Sequence, residues 1–216
     1  MMPTFALLRR LVRGPYVLLQ KILQKHPALG FIRETRGTAV PISYDMWFRQ
    51  QILGWNRGPY WPVHVSSAVV GWKNILIGID VSPGYMPGCY IQALGTIEIG
   101  DYTRISANVG IISSNHDVYN LAEHQRSRIV IGRYCWLSMG CMILPDVTLG
   151  DFTIVGAGAV VTKSFPEGYC VIAGNPARVI RTLDPARCVE YRNEHEYHGY
   201  IRHADFPKFR EDNLNV

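Results

Sequence analysis

In the middle of this chain an aliphatic side chain returns every six positions, and this period restricts the fold more than any other feature. A six-residue period matches neither an α-helix nor the two-residue alternation of a plain strand. It fits a short strand followed by a tight turn, and three such units close a triangular coil of about eighteen residues. Stacked coils bury the repeated side chains in one continuous core. The repeated positions are Ile99, Ile105, Ile111, Ile131, Leu137, Ile143, Leu149, Val155 and Val161.

Small or aliphatic residues follow most of these positions four residues later, and glycines often come directly after them. Two segments interrupt the six-residue spacing of the aliphatic positions. Residues 82–88 form a short insertion rich in turn residues, and residues 117–128 form a longer polar excursion. A solenoid tolerates loops that leave it at a corner, and such loops often build the binding face.

Differences in residue pattern divide the chain into three parts. Residues 1–62 are predicted to be a helical and aromatic lead-in, and residues 63–181 the β-helical domain with its loop at 117–128. Residues 182–216 are predicted to form a helical cap and tail. Asp184 and Pro185 favour a helix start there, because Asp caps a helix and Pro suits its first position. A helix over residues 186–200 would cover the open end of the solenoid.

The lead-in begins with amphipathic spacing, in which apolar positions alternate with Lys and Arg. We expect this segment to pack on the main domain, although peripheral contact with an anionic membrane is also compatible with the pattern. The apolar positions are Leu7, Leu8, Leu11, Val12, Leu19, Ile22 and Leu23. No apolar run approaches the roughly 20 residues of a membrane span, and no signal-peptide pattern is clear.

Charge and cysteine content exclude several classes of protein. The net charge of +5 suits a polyanionic small molecule, but no dense Lys/Arg run supports nucleic-acid binding. The 5 cysteines are odd in number and lack CxxC spacing, which disfavours structural zinc and a disulfide framework. Their apolar surroundings favour a reducing compartment, so we expect a cytoplasmic protein, with the inner face of the membrane as an alternative site.

Four segments of the chain resemble the hexapeptide-repeat acyltransferases, in particular the maltose, galactoside and xenobiotic acetyltransferases and the polysaccharide O-acetyltransferases. The resemblance covers roughly residues 63–181. It implies a left-handed parallel β-helix, a homotrimer with sites between adjacent subunits, and acetyl-CoA as acyl donor to a hydroxyl or an amine. The segments are residues 106–109 with 114–117, residues 131–136, residues 155–163 and residues 174–181. The chain departs from the family pattern at Ser138 and Asp146, where glycine is usual.

His116 is the predicted catalytic base. Histidine suits this role because its ordinary pKa lies near neutrality. His116 follows the last in-phase repeat before the excursion, and it matches the catalytic histidine of the family. His124 is flanked by polar residues and is expected to be simply exposed. No cysteine lies in a recognisable nucleophile context, so direct attack within a ternary complex is favoured over an acyl-cysteine. We expect a backbone N–H to stabilise the oxyanion.

The resemblance also implies a donor site. Ala157 and Gly158 are small enough for the pantetheine arm to approach, and Trp136 matches an aromatic residue beside the donor. Arg and Lys side chains suit the phosphates. The implied nucleotide and phosphate contacts are Thr162, Lys163, Arg178 and Arg181.

The acceptor is the least constrained part of the prediction. A sugar or a surface-polysaccharide precursor is favoured, and no metal is expected to be required. The candidate acceptor-binding residues are Tyr85, Gln92, Asn108 and Asp117, the last at the start of the 117–128 loop. The alternative to an enzyme is a non-catalytic β-helical scaffold, but a scaffold has no need of His116, Lys163 and Arg178. A zinc enzyme of this fold would need three histidines at coil spacing, which the sequence does not offer.

Overall fold

The stacked coils are present in the computed structural model, which describes residue 26 and residues 29–216. Strands of successive coils lie above one another in parallel and form three sheets around one apolar core. The first sheet contains β1 (Ala68–Val70), β3 (Tyr90–Gln92), β6 (Gly110–Ile112), β11 (Met142–Ile143) and β14 (Val160–Val161). The second contains β2 (Ile75–Ile77), β4 (Thr96–Ile99), β9 (Arg128–Ile131) and β12 (Thr148–Leu149). The third contains β5 (Arg104–Ile105), β10 (Trp136–Leu137), β13 (Thr153–Val155), β15 (Cys170–Ala173) and the antiparallel edge strand β16 (Arg178–Thr182).

The repeated aliphatic side chains form the core, as the six-residue period predicts. From Ile99 to Val161 they are at most 3% exposed, apart from the half-buried Ile105. The small residues four positions later are buried as well, among them Cys135 and Cys141. Burial raises the pKa of both thiols to about 12, so these cysteines pack as small apolar residues rather than as reactive thiolates.

Glycines between the second and third sheets let neighbouring coils touch. A Cβ atom on Gly132 would lie 2.6 Å from the backbone nitrogen of Asp151 in the next coil, and one on Gly100 would lie 2.7 Å from the backbone nitrogen of Arg133. Neither distance leaves room for a side chain. The carboxylate of Asp151 then accepts the N–H of Arg133 at 2.7 Å, which ties two coils together at this corner.

An aromatic column runs along the same corner. Tyr102, Tyr134, Phe152 and Tyr169 all have left-handed backbone conformations, with φ between 45° and 59°. Their rings stack at centroid distances of 5.0 to 5.3 Å. Bulky residues rarely adopt this conformation, so packing against the neighbouring coil must offset the backbone strain.

The excursion predicted at residues 117–128 is a β-hairpin that starts earlier, within the preceding repeat. Strands β7 (Ser114–His116) and β8 (His124–Arg126) pair in antiparallel register, with His116 opposite His124. Apart from Ser114 and Asp117, the hairpin residues are exposed. The hairpin leaves the solenoid where the chain passes from the first to the second sheet.

Residues 29–62 cover the first coil. Two short α-helices, α1 (Gly30–Glu34) and α2 (Tyr44–Trp47), are followed by a π-helical turn at Phe48–Ile52. Trp61 is fully buried in the β-helix core, and its indole N–H donates to the carbonyl of Pro83 at 2.8 Å. The buried Gln50 amide donates to the carbonyls of Pro59 and Trp61 and accepts the N–H of Val63, so it fixes this segment to the solenoid.

The C-terminal segment differs from the expected helix over residues 186–200. Asp184 does cap a helical turn, accepting the N–H of Ala186 at 3.0 Å, but the turn is a 3₁₀ helix that ends at Arg187. The residues that follow are held by side-chain contacts instead, such as the hydrogen bond from the Tyr134 hydroxyl to the Tyr191 carbonyl at 2.8 Å. The α-helix of this segment, α3, is Phe206–Asn213.

The helix also lies at the other end of the solenoid from the one expected. Strands β17 (Tyr197–His198) and β18 (Ile201–Arg202), a 3₁₀ turn at His203–Asp205 and α3 pack near the first coil. His198 bonds the carbonyl of Ile77 at 2.8 Å, and the N–H of Asn215 donates to Lys73. The hydroxyl of Tyr197 donates to Glu34 of α1 at 2.6 Å, and Tyr197 shares an apolar cluster with the segment that covers the first coil.

The structure also bears on the two departures from the family pattern and on the expectations for the N-terminal segment and for a membrane span. Asp146 adopts φ 66°, the conformation that the usual glycine would have, and Ser138 keeps the ladder bond from its N–H to Val155, so both departures preserve the fold. The amphipathic positions from Leu7 to Leu23 lie outside the described residues. Among the residues that are described, no helix has the length and apolar character needed to cross a bilayer.

Because neighbouring coils are in close contact at Gly132 but not at Gly37, we expect alanine substitutions at these two glycines to differ strongly in their effect on stability. Gly132→Ala should lower the free energy of unfolding by about 1–3 kcal/mol, because its methyl group would force two coils apart. Gly37→Ala is the matched control, since a Cβ there meets nothing within 4 Å, and it should change stability by less than about 0.5 kcal/mol. Urea unfolding at one protein concentration measures both. Equal midpoints for the two variants would contradict the close packing at this corner.

Candidate active site

His116 projects from the base of the hairpin and is exposed. Its Nδ1 atom lies 2.7 Å from the carbonyl oxygen of Leu121 in the hairpin tip. A carbonyl can only accept, so Nδ1 carries the proton in the neutral ring and Nε2 keeps its lone pair. The backbone therefore orients His116 as a proton acceptor through Nε2.

The second histidine of the hairpin is closer to His116 than the sequence indicated. His124 is exposed, as expected, but its ring lies against that of His116 with a centroid distance of 4.3 Å. The register of the hairpin therefore brings two histidine rings together at its base.

The Asp117 side chain shapes the hairpin turn. One carboxylate oxygen accepts the backbone N–H groups of Tyr119 and Asn120 at 2.8 and 3.0 Å, and the other accepts the amide of Gln125 at 2.7 Å. The N–H groups of Tyr119 and Asn120 hold the pKa of Asp117 below its usual range. Asp117 thus fixes the turn that places the Leu121 carbonyl against His116. Acceptor binding, the role predicted for Asp117, would be a second function of this side chain.

A column of small residues marks the corner between the third and first sheets. Gly158 donates its N–H to the carbonyl of Met139 at 2.9 Å, and Gly140 donates to Ala107 at 3.0 Å, so equivalent residues of three coils lie above one another. Gly140 and Gly158 have positive φ and would meet nothing within 4 Å if they carried a Cβ. Ala157 is exposed in the same column. The corner forms an open backbone-lined strip.

Trp136 lies on the third sheet beside this strip. Its side chain is 49% exposed, and its indole N–H donates to the hydroxyl of Ser106 at 3.2 Å. Met139, 57% exposed, stands in the column itself. The two side chains provide apolar surface beside a backbone strip, an arrangement suited to a long, flexible arm with amide groups.

Three cations lie on the last coil and its edge strand. Lys163, Arg178 and Arg181 are exposed, and none of them takes part in the salt bridges found among the described residues. Lys163 lies 5.5 Å above the ring of Phe165, and Arg178 donates to the carbonyl of Ala177 at 2.8 Å. Arg178 is close to the strip, since it is paired with Ala173 at the end of the third sheet. The exposed Thr162 and Lys163 lie at the opposite edge of the first sheet.

The remaining candidates for acceptor binding are dispersed. Gln92 ends β3, where its carbonyl accepts the hydroxyl of Ser113 at 3.1 Å, and its side-chain Oε1 is buried without a hydrogen-bond partner. Asn108 is exposed on the corner strip with φ 58°. Tyr85 is half-buried under the N-terminal segment and donates to the carbonyl of Pro41 at 3.0 Å.

The catalytic candidate and the corner strip lie on opposite edges of the first sheet. Asn108 precedes β6 on the strip side, and Ser114 follows it at the base of the hairpin. Six residues of extended chain span roughly 20 Å. A single copy of the chain therefore does not bring His116 next to Ala157 and Gly158. Among the described residues, no group of three His, Cys, Asp or Glu side chains is arranged to hold a metal ion.

Comparison with known proteins agrees with this architecture. Residues 128–163 match the family model described as bacterial transferase hexapeptide (six repeats). The chain is 40% identical over 118 residues to the "Putative colanic acid biosynthesis acetyltransferase WcaF" of Escherichia coli (strain K12), covering 51% of this chain and 59% of that protein. It is 36% identical over 106 residues to galactoside O-acetyltransferase of the same organism, covering 47% and 49%. The chain thus spans about half the length of these curated relatives.

The fold is shared with a solved relative. The crystal structure of a maltose O-acetyltransferase from Clostridium difficile 630 superposes with a TM-score of 0.54 and 25% identity, over 76% of this chain and 88% of that one. The repeat, the parallel sheets and these similarities define the class of protein as a left-handed parallel β-helix of hexapeptide repeats. The resemblance to the hexapeptide-repeat acetyltransferases is thereby confirmed.

Three features of the site were not predicted from the sequence. Met139 lies one coil below Ala157, 18 residues earlier in the numbering, so the phase of the repeat could have placed it in the column. The carbonyl of Leu121 and the ring of His124 could not have been found this way, because their contacts depend on the register of the hairpin.

The hydrogen bond to Leu121 predicts an observable tautomer. ¹⁵N NMR of histidine-labelled protein at a pH where the ring is neutral should show His116 protonated at Nδ1, and the His116→Asn spectrum would assign the signal by its loss. The exposed His195, for which no such carbonyl contact exists among the described residues, provides an internal reference. An Nε2-protonated His116 would show that the hairpin does not orient the ring as described.

Proposed function

We propose that this protein is an acetyl-CoA-dependent O-acetyltransferase with His116 as general base. The observation that carries the proposal is the hydrogen bond from Nδ1 of His116 to Leu121, because it leaves Nε2 as an exposed proton acceptor at the base of a solvent-accessible hairpin. Both named E. coli relatives and the solved Clostridium structure are acetyltransferases, which supports the same reaction type.

In the proposed reaction, an acceptor hydroxyl approaches Nε2 of His116. The ring takes the hydroxyl proton while the oxygen attacks the thioester carbonyl carbon of acetyl-CoA. The tetrahedral oxyanion is stabilised by a backbone N–H and then expels the CoA sulfur, which receives the proton from the imidazolium. The products are an O-acetyl ester and free CoA. No acyl-enzyme is needed, and the burial of Cys89, Cys135, Cys141 and Cys170 argues against a cysteine nucleophile.

The donor site is proposed along the strip between the third and first sheets. The pantetheine arm would lie over Ala157 and Gly158 and beside Trp136, where nothing obstructs the backbone. Arg178 at the upper end of the strip would meet the phosphates, with Arg181 further along the same strand. Thr162 and Lys163 lie across the first sheet, so we assign them to the nucleotide end of a CoA bound between two copies.

We propose a homotrimer, because assembly of several copies would bring the two separated parts of the site together. His116 and the strip lie on opposite edges of the first sheet, so one copy would supply the base and its neighbour the donor strip. Exposed apolar residues at the hairpin tip are available to contact that neighbour: Val118 is 81% exposed, Tyr119 98% and Leu121 72%. Three copies around one axis would form three such sites.

We propose a sugar hydroxyl as the acceptor, with an amine as a less favoured alternative, and a role in the synthesis of a surface polysaccharide. The named relatives are described as a putative colanic acid biosynthesis acetyltransferase, a galactoside O-acetyltransferase and a maltose O-acetyltransferase, which supports a glycosyl acceptor. The cytoplasm is the proposed location, since the 5 cysteines are all free and acetyl-CoA is a cytoplasmic metabolite. No metal enters the proposed reaction.

His116→Asn tests the assignment of the base. The Asn amide can still donate to the carbonyl of Leu121 and preserve the hairpin, but it cannot accept the hydroxyl proton. We expect kcat to fall about 10²–10⁴-fold, equivalent to about 3–5 kcal/mol of barrier, with CoA affinity unchanged. Thiol release from acetyl-CoA with a panel of sugars measures the rate.

The control is His195→Ala, an exposed histidine on the C-terminal segment, which should retain full activity. Near-normal turnover by His116→Asn would place the base elsewhere.

A further inference from the structure

A buried histidine that the proposed reaction does not use lies where the C-terminal segment docks on the first coil. His198, in β17, is 6% exposed, and its Nδ1 lies 2.8 Å from the carbonyl oxygen of Ile77 at the end of β2. Because a carbonyl can only accept, Nδ1 carries a proton and Nε2 of the neutral ring keeps its lone pair. This contact lies at the corner between the second and third sheets, whereas the strip and the hairpin lie at the other two corners.

The second nitrogen of His198 is also occupied. Nδ1 of the exposed His203 lies 2.9 Å from Nε2 of His198, so His203 donates its Nδ1 proton to the lone pair of the buried ring. A proton added at Nε2 of His203 leaves this bond intact. A proton on His198 would leave a cation in a buried site, and beside a protonated His203 two N–H groups would point at each other. Docking therefore tolerates protonation of His203 but not of His198.

Burial decides the balance of effects on the protonation of His198. Burial lowers the pKa of His198 and is the largest effect, and the neighbouring His203 lowers it further. The carbonyl of Ile77 and the carboxylates of Asp101 and Glu196 act in the opposite direction without reversing it. Each of these carboxylates already accepts a hydrogen bond from elsewhere in the fold. The docked structure therefore favours the neutral ring.

Other charged groups reach this region from β4 and α3. Glu98 and Arg210 line the same groove as His198, on the outer face of the second sheet. Tyr60, which packs on Phe206, stays neutral because burial raises its pKa. Both nitrogens of His198 are bonded to a carbonyl and to an imidazole, so a protonated ring gains no ion pair at hydrogen-bond distance.

The ring of His198 also carries the contact that holds α3. Phe206, the first residue of α3, is 7% exposed and stacks on His198 with ring centroids 3.8 Å apart and an angle of 6° between the planes. It is the buried residue of a helix of only 8 residues. A helix this short is marginal in water by itself, so α3 depends on its docking. At the end of the segment, the N–H of Asn215 donates to the carbonyl of Lys73 at 2.8 Å.

We infer that the contact between His198 and His203 makes the docking of residues 203–216 sensitive to acid, so that protonation of His198 releases α3 while the β-helix stays folded. Since the docked ring is neutral, docking is strongest above about pH 6.5, the ordinary pKa of histidine, and weakens as the pH falls below it. Release would uncover the outer face of the second sheet, where the half-buried Leu76 and Val130 line the groove.

Hydrogen exchange of the intact protein, measured by mass spectrometry on peptides from residues 203–216, tests the inference. After correction for the intrinsic pH dependence of exchange, the protection of these peptides should fall about tenfold per pH unit below about pH 6.5, until His198 itself is protonated. Peptides from β9 and β12 should keep their protection. The inference is overturned if protection of residues 203–216 does not change with pH, or if it is lost together with that of β9 and β12.

Two substitutions separate His198 from other acid-sensitive groups. His198→Asn keeps a donor for the Ile77 carbonyl but cannot take up a proton, so protection in this variant should not depend on pH. His203→Ala removes a neighbour that lowers the pKa of His198, so acidification should cost less protection than in the unsubstituted protein. His195→Asn, at an exposed position of the same segment, is the matched control and should behave like the unsubstituted protein. An undiminished loss of protection in His198→Asn or in His203→Ala would overturn the inference.

Discussion

Every part of this structure depends on one constraint, which is that each coil must follow the path of the coil below it at the spacing of one parallel strand pair, about 4.8 Å. The glycines between the second and third sheets make this possible, since a Cβ on Gly78, Gly100, Gly132 or Gly150 would meet the next coil at 2.2 to 2.7 Å. The close stack buries the aliphatic core, and it also places equivalent corner residues in columns. The open strip of Gly140 and Gly158 is such a column, so the close stacking of the coils also creates the candidate donor surface.

The repeat made the scaffold predictable because its signal is local and recurs in phase. Positions such as Ile143 and Val155 are fully buried, as their spacing indicates. Features that depend on contacts between distant segments were not predictable. The left-handed Tyr134 violates its local preference and is held by its neighbours in the column. The C-terminal helix was placed at the wrong end because its docking on the first coil depends on Phe206 and His198, which meet Tyr60 and Ile77 only in the folded chain.

The candidate site likewise combines a residue that the sequence predicts with contacts that only the folded chain brings together. His116 was identified from its position after an in-phase repeat, whereas the Leu121 carbonyl that fixes its tautomer and the contact with the His124 ring were not. The fold separates the base from the donor strip, which is the physical reason for assembling the working site from more than one copy.

A crystal structure of the protein with bound CoA would test the central claim most directly, because it reports the donor position, the base and the assembly in one measurement. The account predicts CoA along the strip of Ala157 and Gly158, with its sulfur within about 3–4 Å of Nε2 of a His116 that belongs to a neighbouring copy. CoA bound on another surface, or a sulfur remote from every His116 in the assembly, would contradict it.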